Sequence, residues 1–141
     1  MLVKDVMNKN VVVAKSDATI REAAKVMNKF HIGSLIVLKE EAIAGIVTER
    51  NVLTAVAGGK DTNSTAIEEI MTKKVVTVDP DQTVEAAVDL MIQNKIKKLP
   101  VVEDNKLKGI ITASDIVVVE PKLIASVANL ISMKLPGYRG G

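Results

Sequence analysis

The stretch Gly-Ile-Val-Thr at residues 45–48 returns as Gly-Ile-Ile-Thr at 109–112, and the second stretch follows the first by 64 positions. The same offset, without a gap, relates Val6-Met7 to Ile70-Met71, Ala23 to Ala87, Met27 to Met91 and Leu35 to Leu99. The two halves therefore share loop lengths as well as apolar positions. Two tandem copies of one small unit are the simplest explanation.

One copy alone is too small to form a comfortable core. A unit of roughly 60 residues buries only about 60% of its unfolded surface. We therefore expect the two copies to pack about a pseudo-twofold axis, leaving a cleft with two related halves, where ligand pockets preferentially form. The whole chain of 141 residues fits one compact domain of this kind.

Composition excludes several classes of protein. Hydrophobic residues make up 48% of the chain, which indicates a globular protein. The net charge is only +2 and the aromatic residues are one Phe and one Tyr, so nucleic-acid binding is disfavoured. Cysteine is absent and His31 is the single histidine, so we expect no metal site. No leader or membrane-spanning run is evident, and we expect a cytoplasmic protein without membrane partners.

The apolar spacing predicts a β-α-β-β-α order in each copy and hence an α/β (α+β) fold. Thr19 and Glu22 fit a capping box that begins a helix. In the first copy we predict strands at 11–14, 35–38 and 43–47 and helices at 19–30 and 49–57. In the second we predict strands at 75–78, 99–102 and 107–111 and helices at 83–94 and from 113.

The repeat divides the chain into a first copy at 1–60, a second at 65–119, and a C-terminal helix with a flexible tail at 120–141. Apolar residues beyond Pro121 recur at helical spacing, namely Leu123, Ile124, Val127, Leu130 and Ile131. The apolar face of this helix needs a cover, which either its own module or a partner could supply.

Each copy has a candidate binding turn where its last strand leads into a helix. Backbone N–H groups and the helix dipole at such a turn suit an anion such as phosphate. Glycine allows a ligand to approach the backbone, and Asp115, one turn after Thr112, offers two acceptor oxygens to a ribose diol. The alternative is that Thr112 is an ordinary helix cap and Asp115 a first-turn acid.

These features together resemble a tandem pair of CBS domains, the Bateman module. The resemblance covers about residues 3–119 and rests on the duplicated unit, the opening segments 3–7 and 67–71, the Leu-Pro-Val-Val strand at 99–102 and both Gly-x-x-Thr-x-x-Asp/Asn endings. It implies a regulatory module that binds adenosine nucleotides or related adenosyl ligands between its domains.

The resemblance also implies roles for individual residues. Thr112 would contact phosphate and Asp115 the ribose hydroxyls, while Thr48 and Arg50 would contact phosphate in the other half. Asn51 departs from the Asp of the family, because it keeps one acceptor, adds a donor and loses the charge.

Further positions would complete the cleft. Pro100 and Val101 match the apolar edge that holds adenine in the family. Lys97 and Lys98 would be phosphate partners, with solvated surface lysines as the alternative. The opening strands, which include Val13 and Thr77, would line the cleft through backbone groups.

We therefore expect a stand-alone regulatory module that senses AMP, ADP or ATP, needs no cofactor and has no catalytic residues. The resemblance further implies a homodimer, and the regulated effector protein is unknown. The alternative is a ligand-free interaction module that presents its C-terminal helix to a partner.

Overall fold

The computed structural model describes residues 1–132. The tail predicted from Leu135 lies outside the described residues. The chain forms two compact units: the first unit is Val12–Val75, and the second unit combines Met1–Val11 with the chain from Val76 onward. The predicted α/β fold with two tandem repeats is confirmed.

In chain order the helices and strands are α1 (Val3–Val6), β1 (Val13–Lys15), α2 (Ile20–Phe30), β2 (Ser34–Lys39), β3 (Ala42–Thr48), α3 (Glu49–Ala57), α4 (Val84–Asn94), β4 (Lys98–Glu103), β5 (Lys106–Thr112), α5 (Ala113–Val119) and α6 (Ile124–Ser132). Single turns of 3-10 helix lie at Ile67–Glu69 and Pro121–Leu123. The helix α1 and the turn at Ile67–Glu69 were not predicted.

The first unit holds a three-stranded sheet in the order β1-β2-β3, with β1 parallel to β2 and β3 antiparallel to it. The capping box at α2 is confirmed, because the Glu22 N–H donates to Thr19 Oγ1 (3.1 Å) and the Thr19 N–H to Glu22 Oε1 (2.9 Å). The core of the first unit lies between α2 and the sheet. It contains the fully buried side chains of Ile20, Leu35 and Val47.

The second unit contains the β4-β5 hairpin, and the strand predicted at 75–78 is wrong in its extent. Only a single parallel bridge joins Val78 to Val101, with the Val78 N–H donating to the Pro100 carbonyl (3.0 Å). Continuing this ladder towards Val76 would need an N–H at position 100. Proline has none, whereas the equivalent residue of the first unit is Ile36, which pairs with β1.

The opening segments are exchanged between the repeats. Asn8 exchanges two backbone hydrogen bonds with Ile110 (2.8 and 2.9 Å), inside the second unit. Thr72 exchanges two with Ile46 (both 2.9 Å), inside the first unit. Each compact unit is therefore built on one repeat and completed by the opening segment of the other.

The C-terminal helix α6 packs against α4 and α5 of the second unit. Val127 and Leu130 are buried in the core of that unit, whereas Ile124 is 53% exposed. These two residues are consequently unavailable to a partner, whereas Ile124 remains accessible.

Candidate functional site

The first candidate turn joins β3 to α3 and is closed by its own side chains. Thr48 Oγ1 accepts a hydrogen bond from the Asn51 N–H (3.1 Å). Asn51 Oδ1 in turn accepts from the Thr48 N–H (2.9 Å) and from the Thr48 hydroxyl (3.0 Å). The single carbonyl oxygen of Asn51 is thus already used twice in the helix cap.

The second candidate turn joins β5 to α5 and is more open. Thr112 Oγ1 accepts from the Asp115 N–H (3.1 Å), so the threonine caps this helix as well. The Asp115 carboxylate is exposed, and within residues 1–132 it accepts no hydrogen bond and forms no salt bridge. Two carboxylate oxygens therefore remain available to a ligand. Because α5 has only seven residues, we assign the candidate ligand contacts to side chains and not to a helix dipole.

Other predicted site residues of the second unit lie around this turn. Lys98 is the register partner of Thr112 across the β4-β5 hairpin, and the Lys97 carbonyl accepts from the Ala113 N–H (2.8 Å). Thr77 is exposed and directly precedes the bridge at Val78. The structure therefore brings Lys97, Lys98, Thr112 and Asp115 together at one end of the β4-β5 hairpin, and it places Thr77 beside β4 of the same unit.

The two apolar candidates differ in what they can offer. Val101 is fully buried in the core of the second unit, so its side chain cannot contact an adenine ring from the native fold. Pro100 is also buried, and strand alternation directs its ring to the opposite face of β4. The roles predicted for these two residues remain predictions, and for Val101 they are restricted to the backbone.

In the first unit the remaining candidates are exposed. Val13 is 38% exposed and lines an open groove of about 750 Å³ together with Lys15, Lys39 and Glu68. Arg50 is exposed in the first turn of α3, next to the closed Thr48 cap. The structure thus keeps Arg50 accessible while Thr48 and Asn51 satisfy each other.

The glycine of each Gly-x-x-Thr motif is explained by a neighbouring backbone and not by a ligand. A Cβ at Gly45 would lie 2.6 Å from the Thr72 carbonyl oxygen and 2.7 Å from Met71 Sδ. A Cβ at Gly109 would lie 2.8 Å from the Asn8 carbonyl oxygen. The expectation that these glycines admit a ligand is therefore wrong. Each glycine instead leaves room for the opening segment of the other repeat. The opening segment and the Gly-x-x-Thr motif therefore occur together in both repeats.

A carboxylate cluster in the second unit was not predicted. Oxygen atoms of Asp79, Asp81 and Glu103 lie within 4.8 Å of one another. The Lys4 ammonium already bonds Asp81 Oδ1 (3.0 Å), and this hydrogen bond, followed by the charge of Asp81, raises the pKa of Lys4. The cluster is therefore partly neutralised by a lysine, and it supports no metal assignment.

A groove on the first unit was also missed by the sequence analysis. It encloses about 630 Å³ between α2 and α3 and is lined mainly by aliphatic side chains, namely Ala24, Met27, Ile32, Val52, Leu53 and Val56. A difference between the repeats could have revealed this groove. The second repeat is followed by α6, which packs on its helices, whereas no such helix follows the first repeat directly.

Within residues 1–132, every helix is too short or too polar to cross a bilayer.

Comparison with known proteins identifies the family. The model of the CBS domain matches the chain twice, at residues 3–58 and 67–121. The chain belongs to the CBS-domain family. Both matches fall on the two sequence repeats, so the resemblance drawn from the repeated motifs is confirmed.

Relatives of known sequence support this assignment. The uncharacterized protein MK0525 of Methanopyrus kandleri is 40% identical over 129 residues, which are 89% of this chain and 65% of that protein. The CBS domain-containing protein YhcV of Bacillus subtilis is 34% identical over 117 residues, 82% of this chain and 83% of that protein. The chain thus spans about two thirds of the first relative and most of the second.

Among solved structures, the CBS domain pair of protein MJ0100 is 35% identical with a TM-score of 0.73, covering 86% of this chain and 97% of that one. That structure is a complex with 5′-methylthioadenosine and S-adenosyl-L-methionine. A CBS pair with this fold therefore binds adenosyl compounds.

Proposed function

We propose that this CBS-domain protein is a stand-alone regulatory module, not an enzyme, that binds an adenosine nucleotide, AMP, ADP or ATP, and acts as a ligand or energy sensor. The observation that carries the proposal is the exposed Asp115 carboxylate one turn after the Thr112 cap, which has no hydrogen-bond or salt-bridge partner within residues 1–132. The adenosyl ligands of the related MJ0100 pair support the ligand class.

The chemistry of the second-unit turn suits a nucleoside. A carboxylate with two open oxygens can accept hydrogen bonds from both hydroxyls of a ribose, and such charge-assisted bonds are stronger than neutral ones. Lys98, exposed on the strand that pairs with Thr112, supplies a positive charge for a phosphate group. A ribose and a phosphate together distinguish a nucleotide from a free base.

The two turns should differ in affinity. Asp115 has both oxygens open, whereas the oxygen of Asn51 is held by Thr48. We expect Asp115→Ala to remove a charge-assisted bond of about 1.5–3 kcal/mol, which weakens binding by roughly 10- to 150-fold. Asn51→Ala should weaken nucleotide binding less, and its main effect should be a loss of stability, because the capping box loses the bonds that Asn51 accepts from the Thr48 N–H and hydroxyl.

The test combines native mass spectrometry of the purified protein with titration calorimetry using AMP, ADP, ATP and S-adenosylmethionine. Ser114→Ala is the matched control, because Ser114 is exposed beside Asp115. Free ligand at about 100 times its Kd should add roughly 2.7 kcal/mol to stability. No co-purified nucleotide and no heat with any compound would favour the ligand-free interaction module, and equal losses for Asp115→Ala and Asn51→Ala would reject the assigned roles.

We propose in addition that the protein works as a homodimer in the cytoplasm and regulates an effector protein. The support is exposed aliphatic surface on both units, including Leu53 at 57% and Val118 at 79%. Closed two-fold dimers are the commonest assembly of soluble proteins. Sedimentation equilibrium at micromolar concentration tests the dimer, and a persistent mass of 15.1 kDa would reject it.

A further inference from the structure

The two opening segments, residues 3–7 and 67–71, are almost interchangeable in their apolar side chains. The apolar pairs are Val3 and Ile67, Val6 and Ile70, and Met7 and Met71. No pair differs by more than one methylene group. The sign of the charge differs at one position only, where the first segment has Lys4 and the second has Glu68.

The backbone holds both segments in the same way. The Lys4 N–H donates to the Pro80 carbonyl (3.0 Å), and the Glu68 N–H donates to the Ser16 carbonyl (3.2 Å). Ser16 and Pro80 are equivalent positions of the two repeats, 64 residues apart. These backbone contacts therefore do not explain why each segment completes the other repeat and not its own.

The side chains around the two segments differ strongly in charge. We call the charged positions beside Glu68 the first docking site and the equivalent positions of the second repeat the second docking site. The first docking site consists of Lys15, Asp17, Lys39, Glu40 and Glu41, which line the groove of about 750 Å³ together with Glu68. The second docking site consists of Asp79, Asp81, Glu103, Asp104 and Asn105. The first site thus combines two lysines with three carboxylates, whereas the second has four carboxylates and no lysine.

Each opening segment meets the site that suits its charge. The Lys4 ammonium donates to Asp81 Oδ1 (3.0 Å). This hydrogen bond is the main cause that raises the pKa of Lys4, and the charge of Glu103 acts in the same direction. Glu68 is half-buried and lines the same groove as Lys15 and Lys39. The lysine therefore lies among carboxylates, and the glutamate lies at the site that contains lysines.

Docking of each segment on its own repeat would reverse these relations. Lys4 would enter the groove that contains Lys15 and Lys39, and Glu68 would enter the site with four carboxylates. The first segment is synthesised directly before its own repeat, so the wrong docking is the first one available to the chain. Like charges that meet in a wrong pairing suppress that pairing.

From this charge pattern we infer that Lys4 and Glu68 select the docking site of each opening segment. Lys4 directs the first segment to the second repeat, and Glu68 directs the second segment to the first repeat. Their role is selection more than stability, because the side chains of Lys4 and Asp81 are 50% and 61% exposed and exposed ion pairs are weak. Weak pairs suffice for the choice, since the apolar contacts of the two arrangements are nearly equal.

Pairs of introduced cysteines report where the first segment docks, because the chain has no cysteine of its own. Asn8 and Ile110 exchange two backbone hydrogen bonds, so their Cα atoms lie about 5.5 Å apart, which a disulfide can bridge. Asn8→Cys/Ile110→Cys reports docking on the second repeat. Asn8→Cys/Ile46→Cys reports docking on the first, because Ile46 is equivalent to Ile110. Equilibration in a glutathione buffer gives the effective concentration of each cysteine pair.

Transposing the two segment charges tests the selection. Lys4→Glu/Glu68→Lys preserves the net charge and should lower the ratio of the 8–110 to the 8–46 effective concentration at least about tenfold, because attraction becomes repulsion at both sites. A sixfold variant also carries the substitutions that reverse the docking sites, namely Lys15→Asp, Lys39→Glu, Asp79→Lys and Glu103→Lys. This sixfold variant should restore the ratio.

Two controls separate charge from shape. Asp5→Glu/Glu69→Asp transposes the neighbouring residues of the segments without a change of charge and should leave the ratio unchanged. About 0.5 M NaCl should bring the ratios of the original and charge-transposed chains together, because salt screens exposed charges. A packing role of the two side chains would not respond to salt.

The outcomes decide the selection directly. A ratio that is unchanged in the charge-transposed chain, or that does not recover in the sixfold variant, overturns the inference. So does a larger shift in Val3→Ile/Ile67→Val, which transposes side-chain size at constant charge. Circular dichroism checks folding. If the charge-transposed chain does not fold, recovery of the fold and of the 8–110 disulfide in the sixfold variant supports the inference, and failure to recover overturns it.

Discussion

Replacing Gly45 with alanine tests whether the repeated glycines serve the exchanged opening segments. The new Cβ would lie 2.6 Å from the Thr72 carbonyl oxygen, where ordinary contact begins at 3.4 Å, so Thr72 must retreat by about 0.8 Å. The two 2.9 Å hydrogen bonds between Thr72 and Ile46 would then exceed the usual limit of about 3.2 Å.

The expected loss follows from these contacts. Overpacking costs about 1–3 kcal/mol and each of the two lost hydrogen bonds about 1 kcal/mol, so we expect Gly45→Ala to destabilise the protein by about 3–5 kcal/mol. Gly109→Ala should cost less, because its Cβ would lie 2.8 Å from the Asn8 oxygen. Gly58→Ala is the control, since its φ of −82° suits any residue and its Cβ would lie 3.3 Å from the nearest atom.

Urea denaturation followed by circular dichroism measures the free energy of unfolding of the three variants. The order Gly45→Ala, Gly109→Ala, Gly58→Ala, from most to least destabilising, supports the packing explanation. A loss below about 0.5 kcal/mol for Gly45→Ala would refute it. If Gly109→Ala weakens nucleotide binding and leaves the free energy of unfolding unchanged, the glycine serves ligand approach and the packing explanation is wrong.

Two further changes concern local structure. Hydrogen bonds from the backbone N–H of Thr19 and then from its hydroxyl lower the pKa of Glu22 below its ordinary 4.5. The Glu22 carboxylate therefore stabilises the folded protein above pH 4.5, and this contribution is lost as the pH falls through the lower pKa of the folded state. Glu22→Gln should consequently show a smaller drop in Tm between pH 7 and pH 3 than the original chain. Glu40 and Glu41 form a two-residue hairpin turn with φ values of 52° and 71°, a conformation that favours Asn-Gly. The double substitution Glu40→Asn/Glu41→Gly should therefore raise the free energy of unfolding by about 0.5–2 kcal/mol. An unchanged urea midpoint would contradict this expectation.

Much of the fold could be predicted because the chain carries its pattern twice. Helix α3 was predicted at 49–57 and lies at Glu49–Ala57, and α4 begins after Thr83, which accepts a hydrogen bond from the Ala86 N–H as an N-cap should. These elements follow from local signals, namely a capping residue and apolar periodicity. The opening segments have Leu2 and Ala66 at the N-cap, where neither side chain can accept a hydrogen bond, so α1 and the turn at Ile67–Glu69 were missed.

Other features depend on contacts that a linear pattern does not encode. The ladder expected at 75–78 is interrupted by the missing N–H of Pro100, a residue that lies on a different strand. Val101 was proposed for a ligand but is fully buried, because only the folded hairpin shows which face of β4 meets the core. The residue types at the candidate turns could be predicted, whereas the mutual hydrogen bonds of Thr48 and Asn51 depend on side-chain orientations that the sequence does not specify.

The exchange of opening segments sets the order in which the chain can be completed. The first unit, Val12–Val75, is continuous, so all of its residues have left the ribosome before those of the second unit from Val76 onward. The segment Met1–Val11 is synthesised before the first unit, but its contacts form only after residues of the second unit have been made. One such contact is the hydrogen bond from the Val3 N–H to the Gln82 carbonyl (2.9 Å). The antiparallel bridge between Thr19 and Ala66 holds the two ends of the first unit close together. The chain between Val3 and Gln82 therefore behaves as a shorter loop when this contact closes. Synthesis therefore completes the first unit while the opening segment Met1–Val11 remains without its partners, and pulse-labelled amide exchange on ribosome-bound nascent chains should show protection at Ile46 before Ile110.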